Sequence, residues 1–276
     1  RRYSSAASDV YKRQHLYLKK FKADRTEMIE RALEKQVNLM FLPNIDSTSI
    51  KDMYDLVEKF PNNCFAMMGV HPCSIKENYE EELAIAKKEL EQKKHFFYGI
   101  GEIGLDYYWD TSFKKEQQDA LRRQIQWAKD LRLPIILHCR DSFDDTFEIV
   151  KEMKDENLSG VFHCFGGSIA DAEKIIDLGD FYMGIGGTAT YKKSTDLRQT
   201  IAAIDLKYFV LETDAPYLAP EPYRSAKNRK KRRNESAYVV ATAQKIAAVK
   251  NLPLETVASI TTQNAEKLFQ LRSVLQ

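Results

Sequence analysis

The stretch "PIILHCRDSFDDTFEIVKEM", residues 134–153, contains one strand pattern followed by one helix pattern. Its first six residues are mostly apolar and include two β-branched isoleucines, which is typical of a short buried strand in a parallel sheet. Ser142 stands where a side-chain oxygen can cap the first amides of the helix. His138 is the fifth residue of the stretch and lies near the carboxyl end of the predicted strand. The stretch therefore predicts a βα unit that carries a reactive side chain at its strand end.

The same alternation of short apolar runs and longer helical patterns continues on both sides of this unit. Further strands are predicted at 37–44, 64–72, 96–104, 160–165, 181–187 and 208–214. Helices are predicted to begin near Arg25, Ser47, Tyr79, Ser112, Ser142, Ser168 and Thr195, and to cover 234–249 and 254–271. If His15 lies on an altered or incomplete first strand, the pattern predicts an α/β fold of the (β/α)8 TIM-barrel class, with an open doubly wound sheet as the alternative.

Composition excludes some classes of protein. A hydrophobic content of 43% and a net charge of +2 are ordinary for a globular chain. No window approaches the roughly 18 uninterrupted apolar residues of a membrane span, so we expect no membrane association. The four cysteines form no Cys-x-x-Cys pair, which favours free thiols in a reducing compartment and a cytoplasmic location.

Histidines and carboxylates lie at the carboxyl ends of several predicted strands, where the fold would gather them at one face of a barrel. These side chains are His15, His71, His138, His163, Glu102 and Asp214. Imidazole and carboxylate together are a common ligand set for Zn²⁺, Mn²⁺ or Mg²⁺ in hydrolytic sites. The alternative for Glu102 is an ion pair with a nearby Lys or Arg. We expect a metal ion instead, because a carboxylate among apolar strand residues is costly to bury without compensation.

Glu212 and Asp214 lie two residues apart in the last predicted strand, which would place both side chains on one face. Asp214 is the stronger candidate for a metal ligand and general base. Glu212 is a weaker catalytic candidate. The runs "GIGEIG" and "GIGG" do not fit a dinucleotide-binding loop, and we expect their glycines to permit close backbone approach.

Six motifs in order, "GVHP", "GEIGLDYYWD", "LPIILHCRDS", "HCFGGS", "GIGG" and "LETDAPYLAP", closely resemble the TatD family of metal-dependent nucleases in the amidohydrolase superfamily. The resemblance implies a TIM barrel that holds one or two divalent ions (Mg, Mn or Zn). It also implies deoxyribonuclease activity, often 3′ to 5′ on single strands, with DNA or RNA as substrate. No motif implies a protein partner.

The resemblance also assigns roles to residues. Glu102 would be a carboxylate shared between metal ions, His138 and His163 would hold one ion, and Asp214 the other, with His15 as a further ligand. His71 would lie near the substrate phosphate and act in catalysis with Asp214 and Glu212. The candidate substrate-binding residues are Arg140, Tyr107 and Arg224, and Tyr108, Trp109 and Tyr223 are further candidates for base stacking.

The basic stretch "RSAKNRKKRRNE", residues 224–235, includes an insertion relative to the family pattern. On a barrel it would emerge at the catalytic face, where its cations could follow a nucleic-acid backbone. A solvated basic loop without a ligand is the equal alternative.

The sequence departs from the family pattern at the first strand. The family places a His-x-His pair there, and His15 aligns with its second member, while Arg13 stands where the first would be. Arginine offers a cation no lone pair. We expect residues 1–14 to be a non-native segment that precedes a single hydrolase domain over 15–276. The alternatives are a metal-deficient relative that binds nucleic acid with impaired catalysis, and an amidohydrolase or small phosphoester hydrolase.

Overall fold

A computed structural model describes residues 15–93, 95–228 and 232–271. Arg13 and the rest of the segment 1–14 lie outside the described residues. Seven strands occur in the described part of the chain, and they are hydrogen-bonded neighbours in chain order. They are β1 (Met40–Pro43), β2 (Cys64–Met68), β3 (Phe97–Asp106), β4 (Ile135–Arg140), β5 (Gly160–Phe162), β6 (Phe181–Ile185) and β7 (Phe209–Leu211).

Helices alternate with these strands and begin close to the predicted positions. They are α1 (Arg25–Glu34), α2 (Ile50–Lys59), α3 (Tyr79–Gln92), α4 (Lys114–Leu131), α5 (Phe143–Met153), α6 (Ile169–Asp177), α7 (Thr195–Ala203), α8 (Val239–Lys250) and α9 (Leu254–Leu268). Within the described ranges, no helix combines the length and the apolar composition that crossing a bilayer requires.

Several ends of the predicted strands were wrong, and two of these errors bear on candidate site residues. His15 is not followed by strand residues, because the chain turns at residues 16–18 before a short 3-10 helix, Lys19–Phe21. The last strand ends at Leu211 instead of continuing to Asp214. Asp214 adopts a left-handed conformation with φ of 50°. The alternation of a strand therefore cannot place Glu212 and Asp214 on one face.

By internal contacts the described chain divides into two compact units, which we call the central unit (residues 41–163 and 175–181) and the terminal unit (residues up to 40, 164–174 and from 182). In the central unit β2, β3, β4 and β5 pair in parallel. The register of β3 and β4 sets Gly104 beside His138 and Asp106 beside Arg140. This register brings the strand ends that carry candidate site residues next to one another.

Gly104 explains how β3 and β4 approach so closely at His138. Its φ is 141°, and a Cβ at this position would lie 2.8 Å from the backbone nitrogen of His138. Any side chain would therefore push the two strands apart. In the terminal unit, a Cβ at Gly184 would lie 2.6 Å from the carboxyl carbon of Glu212. Both positions confirm that these glycine runs serve close approach.

Ser142 precedes α5 as predicted, but its side chain does not cap the helix. The hydroxyl donates to the carbonyl of Leu105 over 2.7 Å and accepts from the amide of Arg140 over 3.1 Å. These two bonds join the ends of β3 and β4. A serine does act as a cap at α6, where Ser168 and Asp171 exchange side-chain to backbone hydrogen bonds of 3.0 and 3.2 Å.

In the terminal unit β6 and β7 pair in parallel. Two bidentate ion pairs fix α1 to the segment before α8. Arg31 donates to both carboxylate oxygens of Glu235 at 2.9 and 2.6 Å, and Arg233 donates to both oxygens of Asp24 at 2.8 and 2.6 Å. In a bidentate pair, the two parallel hydrogen bonds fix the relative orientation of the guanidinium and the carboxylate, in addition to the attraction between their charges.

Candidate metal centre

The central unit brings three of the predicted site residues together. The Nδ1 atom of His138 lies 2.8 Å from Oε1 of Glu102, and Nε2 of His71 lies 3.4 Å from Oε2 of the same carboxylate. The two imidazole centroids are 4.5 Å apart. One ligand atom from each of the three residues falls within 4.8 Å of the other two. The three side chains are therefore close enough to surround one cation.

The orientation of His138 is fixed from its other nitrogen. Nε2 lies 2.8 Å from Oδ2 of Asp106, which is 2% exposed. An Nε2–H that donates to this carboxylate leaves the Nδ1 lone pair for a cation shared with Glu102. A carboxylate behind a ligating histidine is a common arrangement in metal sites, since it selects the tautomer and holds the ring.

His71 is oriented in the opposite sense. The amide of Cys73 donates to Nδ1 of His71 over 3.1 Å, as part of the turn that Pro72 begins. A nitrogen that accepts this bond carries no hydrogen, so Nε2 of the neutral ring carries it. That Nε2–H faces Glu102. In this geometry His71 is a hydrogen-bond donor at the edge of the centre, and Glu102 and His138 supply the lone pairs.

Asp106 was missed as a site residue by sequence reasoning. Burial raises the pKa of its carboxyl, but the hydrogen bond and charge of His138 and the amides of Trp109 and Tyr108 outweigh this, and the pKa lies below its usual range. Asp106 is four residues after Glu102 in β3, and both carboxylates contact the imidazole of His138. That even spacing was the available signal.

A loop after β3 displays aromatic side chains beside this centre. Oδ1 of Asp106 accepts from the amides of Tyr108 and Trp109 over 3.0 and 3.3 Å. The guanidinium carbon of Arg140 lies 3.8 Å from the ring centroid of Tyr108 and 5.1 Å from that of Trp109. The predicted substrate-binding residue Arg140 is therefore part of a group with two exposed aromatic rings.

Tyr107, the other predicted substrate-binding residue of this region, has its hydroxyl engaged within the protein. It donates to Asp145 over 3.0 Å and accepts from Gln118 over 2.9 Å, and Lys114 lies over its ring. Burial raises the pKa of Tyr107 to about 12. The neighbouring Tyr108 and Trp109 are 54% and 69% exposed and present more ring surface to a ligand.

His163 directly follows β5 and is buried, and its amide donates to the carbonyl of Leu137 over 2.9 Å. The remaining candidate ligands belong to the terminal unit. His15 is buried, its amide donates to the carbonyl of Ala215 over 3.0 Å, and its Nδ1 lies 2.9 Å from the hydroxyl of Tyr17. A carboxylate oxygen of Asp214 lies within 4.8 Å of Sγ of Cys164.

Glu212 and Arg224 make contacts within the terminal unit. The fully buried carboxylate of Glu212 accepts a hydrogen bond from the amide of Cys164. This contact fixes the backbone at the residue that follows His163. The guanidinium of Arg224 lies 4.2 Å from the ring centroid of Tyr191.

The basic stretch 224–235 is only partly described, because residues 229–231 lie outside the described ranges. Arg232 donates to the carbonyl of Ala226 over 2.7 Å, and Arg233 is paired with Asp24. Asn234 is fully buried and donates to the carbonyls of Thr213 and Tyr217. The last part of the stretch is thus built into the fold.

The donor set of the central unit fits a divalent cation. Glu102 is fully buried, and its strand neighbours Ile100 and Ile103 are equally buried. A carboxylate in such surroundings is stabilised by a cation, and carboxylate with imidazole nitrogen is a ligand set for Zn²⁺ or Mn²⁺. Glu102 and His138 would hold such an ion.

Known proteins are similar to this chain over most of its length. Residues 13–270 match the family described as TatD related DNase. A Bacillus subtilis protein named "Uncharacterized metal-dependent hydrolase YabD" is 36% identical over 93% of this chain and 97% of its own length. The "3'-5' ssDNA/RNA exonuclease TatD" of a Rahnella strain is 31% identical over 91% of this chain and 94% of its own length.

The crystal structure of YJJV, a TatD homologue from Escherichia coli K12, matches with a TM-score of 0.84 at 27% identity and covers 96% of this chain and 98% of that one. This likeness, together with the order of the strands, confirms the predicted TIM-barrel class. The family match spans the motifs that carry Glu102, His138, His163 and Asp214. The chain therefore belongs to the TatD-related DNase family of metal-dependent hydrolases.

Proposed function

We propose that this chain is a deoxyribonuclease that hydrolyses phosphodiester bonds with one or two divalent ions, Mg²⁺, Mn²⁺ or Zn²⁺. The observation that carries the proposal is the group formed by Glu102, His138 and His71, with two lone-pair ligands on one side and an N–H donor on the other. Both suit a phosphodiester, since a cation stabilises charge on its oxygens and a donor can bind a further oxygen.

Within this proposal Glu102 and His138 hold one ion, and His15, His163 and Asp214 are further ligands. A bound ion would lower the pKa of a coordinated water and neutralise charge on the phosphate. His71 donates its Nε2–H to a substrate oxygen. Asp214 is the proposed general base, and Glu212 positions the backbone at Cys164. Arg140 attracts the phosphates, with Arg224 and Tyr107 as weaker candidates for substrate contact.

The direction of digestion is also proposed, as 3′ to 5′ on single strands. It is supported by the similarity to the Rahnella relative, which is named as a 3'-5' exonuclease of ssDNA and RNA. The more similar Bacillus relative is named only as a metal-dependent hydrolase. DNA is the proposed main substrate, and RNA is a second one to be compared.

One assay tests the reaction class. The purified chain is incubated with a labelled single-stranded oligonucleotide, a simple phosphodiester and an acylated amino acid, each with Mn²⁺ or Mg²⁺ and with or without EDTA. We expect cleavage of the first two substrates that EDTA removes and added metal restores. Cleavage of the acylated amino acid alone would contradict the proposal and favour an amidohydrolase. Binding of DNA that EDTA leaves unchanged, without cleavage, would favour a binding protein.

A second prediction concerns Arg13, which stands where the family pattern has a histidine. Because arginine cannot ligate a cation, we expect the chain as written to be less active than a variant with an Asp-Thr dipeptide at residues 11–12 and Arg13→His. Restoring a ligand should raise metal-dependent cleavage about 10- to 100-fold and lower the metal concentration needed for half-maximal rate. Arg13→Gln in the same dipeptide background removes the charge without adding a ligand and is the matched control. Equal rates in all three chains would contradict this reading of Arg13.

A further inference from the structure

The loop that follows β3 presents an unusual amount of aromatic surface. Trp109 is 69% exposed and Tyr108 is 54% exposed, and both are among the most exposed large apolar side chains of the described residues. Their rings meet edge to face, with centroids 4.9 Å apart and planes at 88°. Contiguous exposed apolar surface is a common mark of a binding site, whereas single exposed apolar side chains are ordinary.

A cation completes this group. The guanidinium of Arg140 lies over the ring of Tyr108 at 3.8 Å, and Arg140 is the last residue of β4, two positions after His138. Planar guanidinium and aromatic groups side by side form the kind of surface on which nucleobases stack, while the guanidinium can also contact a phosphate. We call Arg140, Tyr108 and Trp109 the stacking platform.

Asp106 ties the stacking platform to the metal centre. One carboxylate oxygen contacts Nε2 of His138, and the other accepts from the amides of Tyr108 and Trp109. A second link is the hydrogen bond from the amide of Tyr107 to the carbonyl of Arg140, at 2.9 Å. The platform is thus held one side chain away from His138, which would be a ligand of a divalent ion.

We propose that the stacking platform binds an unpaired nucleobase of the strand being cleaved. This proposal rests on the proposed function and deepens it, because it selects single-stranded over double-stranded substrate. A base inside a duplex is stacked on both faces, so only the terminal pairs of a duplex offer a free face to Trp109, whereas every base of a single strand can offer one. Stacking on an aromatic ring tolerates every base, so the platform favours single strands without reading their sequence.

Binding can be measured without catalysis. The chain has two tryptophans, and Trp127 is only 9% exposed, so Trp109 accounts for the ligand-sensitive emission. The full chain is titrated in EDTA with single-stranded dT12, with a twelve-unit abasic strand that carries the same phosphates, and with a 12-base-pair duplex. We expect dT12 to quench tryptophan emission and to bind about 5- to 100-fold more tightly than the abasic strand. The duplex, in which only the two terminal pairs expose a face, should quench less than dT12.

Trp109→Ala supplies the decisive comparison, with binding followed by the anisotropy of a labelled strand. Because the side chain is largely exposed, we expect an unchanged thermal unfolding midpoint, and the preference for dT12 over the abasic strand should disappear. Tyr208→Ala is the matched control, since Lys207 lies 5.0 Å over that ring in a similar pair located before the start of β7. This control should keep the preference.

The two levels of the proposal fail separately. If Trp109→Ala retains the full preference for bases, or if the parent shows none, the stacking platform is not a nucleobase subsite, even when the chain cleaves DNA with metal. If the parent chain cleaves no phosphodiester with any metal, the proposed function fails, whatever dT12 does to tryptophan emission. Retained quenching by the duplex equal to that by dT12 would also overturn the selection of single strands.

Discussion

Replacing Glu102 with glutamine is expected to lower metal-dependent hydrolysis on the order of 10³-fold, the largest loss among single substitutions at this site. Glu102 is the fully buried carboxylate that contacts both imidazoles, and an amide cannot supply its negative charge to a cation. The same change should abolish the rise in unfolding temperature that Mn²⁺ or Zn²⁺ gives the parent, because a ligand stabilises a fold only by binding it. The metal-free variant should unfold at the same temperature or slightly higher, since glutamine removes a buried charge.

Thermal scans with and without metal test this prediction independently of turnover. Glu148→Gln is the control, because Glu148 is an exposed residue of α5 and should leave both the metal-induced shift and the rate unchanged. A Glu102→Gln chain that gains as much thermal stability from Mn²⁺ as the parent would show that the ion binds elsewhere. A large loss of stability without metal would instead assign Glu102 a structural role.

Asp106→Asn should weaken metal binding about 10- to 100-fold although Asp106 itself need not touch the ion. The asparagine oxygen can still accept from the loop amides, but its NH₂ group would face Nε2 of His138 as a donor. His138 would then carry its hydrogen on Nδ1, the nitrogen that faces Glu102, and could not offer that lone pair to a cation. The rate of hydrolysis at low metal concentration should fall together with the metal affinity, and it should recover in part at high metal concentration.

Competition with a chromogenic chelator gives the dissociation constant directly. Asp110→Asn is the matched control in the same loop, because Asp110 pairs with Lys76 at 2.6 Å and accepts from the amide of Ser112 without contacting His138. Equal metal affinity of parent and Asp106→Asn would show that the tautomer of His138 does not depend on this carboxylate.

The fold was predictable because its signals are local. Apolar runs marked seven strands, and Ser or Thr marked the starts of several helices, so strand positions and helix starts agreed within a few residues. The end of β7 was misjudged, since "LETD" continues a strand-like pattern while Asp214 turns into the left-handed region. Ser142 was correctly placed before α5, yet its hydroxyl bonds to Leu105 and Arg140, which no local pattern reveals.

The site was predictable in composition but not in orientation. Glu102 and His138 lie in the carboxyl halves of β3 and β4, and His71 follows β2, so the convergence of neighbouring parallel strands was enough to identify all three. Which nitrogen of each histidine faces the centre depends on Asp106 and on the amide of Cys73, and these are contacts between separate segments. The path of the loop exposes Tyr108 and Trp109 but leaves the hydroxyl of Tyr107 bonded within the protein. Three consecutive aromatic residues in the sequence do not show which of them will be exposed.

Asp106 fixes the loop after β3 through the main chain, so the loop's side chains are free to differ between relatives with different substrates. It accepts hydrogen bonds from the main-chain amides of residues 108 and 109, and every amino acid except proline supplies such an amide. The side chains at these two positions can therefore be exchanged without disturbing the loop's attachment or His138. A relative with small or charged residues at these two positions would keep the contact between Asp106 and His138 but would bind different substrates. This dipeptide is therefore a suitable place to change substrate preference by design.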